Sequence, residues 1–82
     1  MYTVYVLRSV KDGKRYIGYT KDLARRLKEH HSGKTESTKR RRPFVIIYVE
    51  EFSNEEDAKK RELFFKSGKG REELIRIESL RK

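Results

Sequence analysis

The chain predicts an α+β fold, a small and mostly antiparallel three-stranded sheet flanked by helices in the order β-β-α-β-α-α. Three observations carry that expectation. A run rich in Tyr, Val and Thr, Tyr2 to Arg8, and a returning run, Arg15 to Tyr19, flank an Asp-Gly turn. A third run, Phe44 to Val49, is apolar on both faces. The remaining stretches carry helical spacing with recognisable start and stop residues. The 82 residues predict one domain over 1–82, and a chain of this size buries only about 60–65% of the surface it exposes when unfolded. The core must be small.

The elements follow in order. In Lys11-Asp12-Gly13-Lys14 the Asp-Gly pair tolerates positive φ, so a hairpin is expected there. With Asp12 and Gly13 at its centre, Tyr16 faces Ser9 and Gly18 faces Leu7, and Tyr5, Leu7, Tyr16 and Gly18 share one face. The two tyrosines then stand ~13 Å apart along the hairpin, with bare backbone at Gly18 between them. Thr20 is placed to cap a first helix, with Asp22 at its positive end and Leu23 and Leu27 on its buried side, and Gly33 stops it. Ser32 to Pro43 lacks periodicity and ends in Lys39-Arg40-Arg41-Arg42-Pro43, the pattern of an exposed basic loop. The Phe44 to Val49 strand needs cover on each side. Ser53-Asn54-Glu55-Glu56 has the spacing of a capping box and opens a second helix running to about Ser67. Glu72 to Leu80 predicts a short third helix with Leu74 and Ile77 inward.

Composition narrows the function. There is no cysteine, so any metal must be held by oxygen or imidazole ligands, and a reducing compartment fits. The apolar run from Met1 to Leu7 is broken by Arg8, too short for a signal peptide or a membrane span, so a cytoplasmic protein without membrane association is expected. The net charge of +9 is unevenly spread. Residues 1–49 carry 13 Lys and Arg against 4 Asp and Glu, whereas residues 50–82 carry 9 of each. All of the excess lies in the N-terminal part, which points to a polyanionic partner bound there, nucleic acid first, with a ribosomal or anionic-lipid surface as alternatives.

Asp22, Arg26 and His30 follow one another at four-residue steps and line one helix face beside the Leu23 and Leu27 stripe. An arginine there offers a planar fork for a phosphate, and a histidine one turn on can take or relay a proton. Pairing of Arg26 with Asp22, and a solvated His30 and His31, satisfy the same pattern. Glu62 lies about 40° from Ala58 and about 60° from Phe65 around the second helix, between the residues that face the sheet. An unpartnered carboxylate at that edge costs several kcal/mol, about 2–7 for a polar group and more for a charge, so either a bridge to Arg26 or a bound metal ion is required.

Tyr16-Ile17-Gly18, preceded by Thr3-Val4-Tyr5 with its tyrosine at the matching place, resembles the two halves of the motif that names the GIY-YIG nuclease superfamily. Asp22-Leu23-Ala24-Arg25-Arg26-Leu27-Lys28-Glu29-His30 is similar to the family's helix, with an Arg four residues before a His or Tyr, and Glu62-Leu63-Phe64-Phe65-Lys66 to its metal-binding Glu followed by a Lys. The resemblance spans roughly residues 2–70 and is closest to small, single-domain members. It departs at the first Gly and Ile of the motif, and at Tyr19, where some relatives carry a lysine.

The resemblance implies an endonuclease hydrolysing DNA phosphodiesters with one Mg²⁺ or Mn²⁺. Glu62 would hold the ion, Arg26 would clamp a phosphate oxygen, Tyr5 and Tyr16 would position or deprotonate the attacking water, and His30 would accept a proton. Which tyrosine is the base stays open. Lys21, Arg25, Lys28, Lys34, Lys39, Arg40, Arg41, Arg42 and Lys66 are the expected nucleic-acid contacts, DNA favoured over RNA. No base-reading domain of the kind larger relatives append is recognised, which implies structure-dependent or weakly specific cleavage, as in repair or recombination, with a protein partner for targeting and a monomer or weak dimer. A fold-retaining module that binds nucleic acid without cutting, or a ribosome- or RNA-associated structural protein, would share much of this pattern.

Overall fold

Tyr2–Ser9, a run of β-branched and aromatic residues, forms β1, and β1 is the middle strand of the sheet. It pairs antiparallel with β2 (Arg15–Thr20) on one side and with β3 (Phe44–Phe52) on the other, giving the order β2-β1-β3. The computed structural model describes residues 1–80, Glu36 and Ser37 by backbone alone. As expected of a central strand, Val4, Tyr5, Val6 and Leu7 are all buried, so both faces of the sheet are covered there. Val4 and Val6 pack with Ile47, Ala58, Phe65 and Leu74 beneath α3 (Glu55–Phe65) and α4 (Gly68–Leu80). On the opposite face Tyr5, Leu7 and Phe44 meet Tyr16 and the Leu23 and Leu27 stripe of α1 (Leu23–Ser32). The sheet therefore lies between two helical layers, and the fold is the expected α+β arrangement.

Several local expectations are corrected. The hairpin pairs Tyr5 with Gly18 and Leu7 with Tyr16, two residues away from the predicted register. Ser9 supplies the reason: its hydroxyl accepts from Lys11 N and Asp12 N, its carbonyl accepts from Gly13 N, and these bonds hold Val10 to Lys14 as a longer turn with Gly13 at φ 74°. The segment from Ser32 to Pro43 is not a bare loop. It contains a short helix, α2 (Glu36–Lys39), and Thr38 is fully buried. β3 is an edge strand with Val45, Ile46 and Val49 exposed; a bulge opposite Val6 and Leu7 makes Ile47 the extra residue on β3, and its side chain is buried in the core. The helix starts also move. Asp22, not Thr20, caps α1 by accepting from Arg25 N, and Asn54, not Ser53, caps α3 by accepting from Asp57 N.

The helix expected from Glu72 begins at Gly68. Gly70 permits this because a Cβ there would lie 1.8 Å from the Phe64 carbonyl oxygen, so α4 can cross the end of α3 at backbone distance. The crossing brings Glu78 of α4 back to β2, where Arg15 donates to it from Nε at 2.8 Å and from Nη2 at 3.0 Å. No helix among the described residues is long and apolar enough to cross a membrane.

Candidate active site

Because Tyr5 sits opposite Gly18, its ring lies flat over the glycine: a Cβ on Gly18 would meet Tyr5 Oη at 2.7 Å. The glycine is thus covered by the phenol and is not open backbone for a ligand, as the sequence reading had it. The same register brings Tyr16 beside Tyr5, with ring centroids 6.3 Å apart and nearly parallel, in place of the expected separation along the hairpin. The edge of the His30 ring closes the group, 4.8 Å from Tyr16 and 6.0 Å from Tyr5.

Helix α1 delivers the cation and the imidazole. Leu23 and Leu27 anchor it to the sheet, which turns Arg26 and His30 inward one turn apart. Arg26 Nε donates to Tyr5 Oη at 3.4 Å, and its Nη1 donates to Glu29 at 3.0 Å. Pairing with Asp22, the alternative that the spacing allowed, does not occur; Asp22 is the cap. The guanidinium is one-third exposed, with its side chain at 32%, so it reaches solvent while its inner edge is held. The Tyr5 hydroxyl raises the Arg26 pKa most, burial opposes it, and Glu29 and the Tyr16 hydroxyl reinforce it, so the charge is permanent.

His30 is fully buried, and both ring nitrogens have partners: Nε2 lies 3.1 Å from Tyr5 Oη and Nδ1 lies 2.8 Å from Thr38 Oγ1. Burial, then the Arg26 charge, then His31, push its pKa below the ordinary value of 6.5, so the ring is neutral at pH 7. Burial likewise raises the Tyr5 phenol. The Arg26 hydrogen bond opposes that, while Tyr16 and Glu62 add to it.

Glu62 comes from the other helical layer. It stands on α3 between buried Ala58 and Phe65, as the helical arithmetic required, with its side chain 17% exposed. Its ion pair is with Lys66 at 3.6 Å, not with Arg26. The charge nevertheless acts on Tyr5 from across the sheet, and it acts on Tyr19, whose phenol is raised first by desolvation, then by Glu55 and then by Glu62. Four of the five expected catalytic residues thus touch one another, and the fifth reaches them through its field.

The Glu62 carboxylate suits a hard divalent cation. Its one long ion pair leaves oxygen lone pairs free, and among the described residues no group of three His, Cys, Asp or Glu side chains gathers anywhere. Such a donor set fits Mg²⁺ or Mn²⁺, which keep several waters and take one or two carboxylates, and does not fit a closed zinc site.

The expected basic contacts divide. Arg25, Lys28 and Lys34 line a shallow hollow of about 300 Å³ with Glu29 and Ser32. Lys39, Arg40 and Arg42 line another of about 520 Å³ with Lys11, His31 and Pro43. Lys21 lies over the Tyr2 ring, and Lys66 is the partner of Glu62. Arg41 is half-buried and bound within the fold: it donates from Nη2 to the Arg15 carbonyl at 3.2 Å, faces Asp12 at 3.4 Å and covers the Phe44 ring. Two residues that the sequence reading missed complete the site. Glu29, one turn beyond Arg26, was readable as an i, i+3 partner; Thr38 carried no signal.

A three-stranded antiparallel sheet presenting two phenols, with a guanidinium and an imidazole on the next helix and a lone carboxylate on a later one, defines a class of catalytic domain. The family model described as the GIY-YIG catalytic domain matches residues 1–74, and the chain belongs to that family, a nuclease family. Its relatives are UPF0213 proteins. The UPF0213 protein YazA of Bacillus subtilis (strain 168) is 40% identical over 78 residues, 94% of this chain and 78% of that protein. The UPF0213 protein spr1390 of Streptococcus pneumoniae (strain ATCC BAA-255 / R6) is 45% identical over 67 residues, 80% of this chain and 67% of that protein. Among solved structures, the solution NMR structure of the UPF0213 protein BH0048 from Bacillus halodurans superposes with a TM-score of 0.57 at 38% identity, covering 94% of this chain and 85% of that one.

Proposed function

We propose that this protein is a divalent-metal-dependent endonuclease that hydrolyses DNA phosphodiester bonds, with residues 1–82 acting as one catalytic domain in the cytoplasm. The observation that carries the reading is the single contact group of Tyr5, Tyr16, Arg26 and His30, drawn from β1, β2 and α1, with an Arg26 side chain that remains one-third exposed to solvent. Glu62 is the residue that would hold Mg²⁺ or Mn²⁺. When bound, such an ion neutralises the scissile phosphate and the leaving oxygen.

The chain's own residues do the rest. Arg26 holds a non-bridging phosphate oxygen and stabilises the charge that grows there in the transition state. Tyr16, half-buried and on the open side of the stack, orients the attacking water. Behind it, the Tyr5 hydroxyl takes the water's proton as it passes its own to His30 Nε2, leaving a neutral phenol and an imidazolium. The two basic hollows and Lys21 track the sugar-phosphate backbone without reading bases, so cleavage is structure-dependent or weakly specific, in repair or recombination, with a protein partner supplying any targeting.

A second reading, a module that binds nucleic acid without cutting it, draws on the Glu62 to Lys66 pair and on the position of Glu62 across the sheet from the cluster. One assay separates the two: branched, single-stranded and duplex DNA incubated with Mg²⁺ or Mn²⁺, with chelator, and with Glu62→Ala and Arg26→Ala. The nuclease reading expects metal-dependent cleavage that chelator and both substitutions abolish. Salt-sensitive binding with no cleavage by the unaltered protein would overturn it.

A further inference from the structure

Proton counting around the buried imidazole leads from Tyr5 to a residue outside the expected set. Arg26 Nε carries a hydrogen and no lone pair, so it can only donate to Tyr5 Oη. The phenol's own hydrogen then needs an acceptor. Tyr5 is only 1% exposed, and the acceptor that its hydroxyl meets among the described residues is His30 Nε2, at 3.1 Å. Nε2 must therefore be bare. In a neutral imidazole the hydrogen then sits on Nδ1, which donates to Thr38 Oγ1 at 2.8 Å. Thr38, accepting, turns its own hydrogen to the Thr35 carbonyl at 3.4 Å. The alternative, Thr38 donating to Nδ1, places a hydrogen on Nε2 pointing at Tyr5 and leaves the buried phenolic hydrogen without an acceptor, which costs about 1–3 kcal/mol.

We propose that Thr38 is a positioning residue: its hydroxyl holds His30 as the Nδ1–H tautomer, so that the bare Nε2 is aimed at the Tyr5 phenol to receive its proton. The segment that reads as a basic loop then has a second role. It begins after the Gly33 cap of α1, folds into α2 and returns Thr38 beneath His30, eight residues on. Its Lys34, Lys39, Arg40 and Arg42 are exposed, while the buried Thr38 hydroxyl orients the imidazole. The chain Arg26 to Tyr5 to His30 to Thr38 to the Thr35 carbonyl runs in one direction, each group donating to the next. The tautomer preference of a neutral histidine is set by the bond at its second nitrogen.

This inference deepens the nuclease reading and rests on it for its catalytic meaning, but its structural core can be tested without turnover. Protein labelled with ¹⁵N at histidine, at neutral pH and without metal or DNA, gives two-bond proton-nitrogen correlations that distinguish a protonated from a bare ring nitrogen. The expected pattern for His30 is a protonated Nδ1 and a bare Nε2. A protonated Nε2 in the unaltered protein overturns the proposal, and that measurement needs no variant to fold. Thr38→Ser, which keeps the hydroxyl, retains the pattern; Thr38→Val, of nearly equal shape, loses it and shows mixed tautomers. An unchanged pattern in Thr38→Val also overturns it. In the cleavage assay at saturating DNA, Thr38→Val lowers kcat by about tenfold or more, part of the ~10²–10⁴-fold that a positioned acid-base group contributes, and Thr38→Ser restores most of it. Absence of cleavage by the unaltered protein removes the nuclease reading, and the tautomer pattern still decides the hydrogen-bond chain.

Discussion

Replacing Gly18 with alanine tests the register on which the site depends. In the observed pairing, the new methyl carbon lies 2.7 Å from Tyr5 Oη, 2.9 Å from Cζ and 3.3 Å from Cε1, and Tyr5 is 1% exposed. The ring has nowhere to go without leaving Arg26 and His30. Overpacking of a closed core typically costs about 1–3 kcal/mol, and a domain of this size loses roughly 4–8 °C in Tm per kcal/mol, so a fall of about 5–20 °C is expected. The register read from the Asp-Gly turn gives the opposite sign. There Gly18 is bare, and alanine would stabilise the strand by about 0.5–1 kcal/mol through lost glycine flexibility. Urea and thermal unfolding followed by circular dichroism measure the difference. A companion cycle with Tyr5→Phe removes the closest contact, so the two substitutions should couple by about 0.5 kcal/mol or more. A Gly18→Ala protein as stable as the parent, or additive with Tyr5→Phe, would refute the stacked arrangement.

Other expectations concern charge. His30 titrates below 6.5 in the folded protein because burial and Arg26 oppose its protonation. The unfolded chain therefore binds the extra proton first, and the stability present above pH 6.5 is lost as pH falls toward the folded value. A pH series of urea melts should show that slope, and His30→Gln should flatten it, leaving only the acid limb of carboxylates such as Glu29, which Arg26 holds below its ordinary range. Adjacent arginines should separate. Arg41→Gln should lower stability by about 1 kcal/mol through its lost Arg15 and Asp12 contacts, whereas exposed Arg40→Gln should leave the melt unchanged and weaken DNA binding, with a shallower salt slope in fluorescence anisotropy titrations. Ser9→Ala, which strips the acceptor from the Lys11 and Asp12 amides and the donor from the Arg41 carbonyl, should cost about 1 kcal/mol or more, measured by the same melts.

The distinction between what could and could not be read from the residues follows the range of the interactions. Helical arithmetic is local, and it put Glu62 between Ala58 and Phe65, and Arg26 and His30 on one face beside Leu23 and Leu27, because 3.6 residues per turn does not depend on the rest of the fold. Strand parity is also robust. A shift of two residues in the hairpin keeps Tyr5, Leu7, Tyr16 and Gly18 on one face, so the shared face was correct although the spacing along it was not. The spacing depended on Ser9, a residue outside the recognised turn pair, whose hydroxyl takes two amides and lengthens the loop. Thr38 shows the same limit more sharply. Its neighbours are charged or polar, no apolar period runs through Glu36 to Lys39, and its burial exists only because the Gly33 turn and the Phe44 strand fold that segment back over His30. A buried hydroxyl in a polar stretch has no pattern of its own; its position is set by the acceptor it satisfies. The polar groups that orient a buried side chain are therefore the part of such a site least visible in a single sequence, even where the side chains that gather in it can be named.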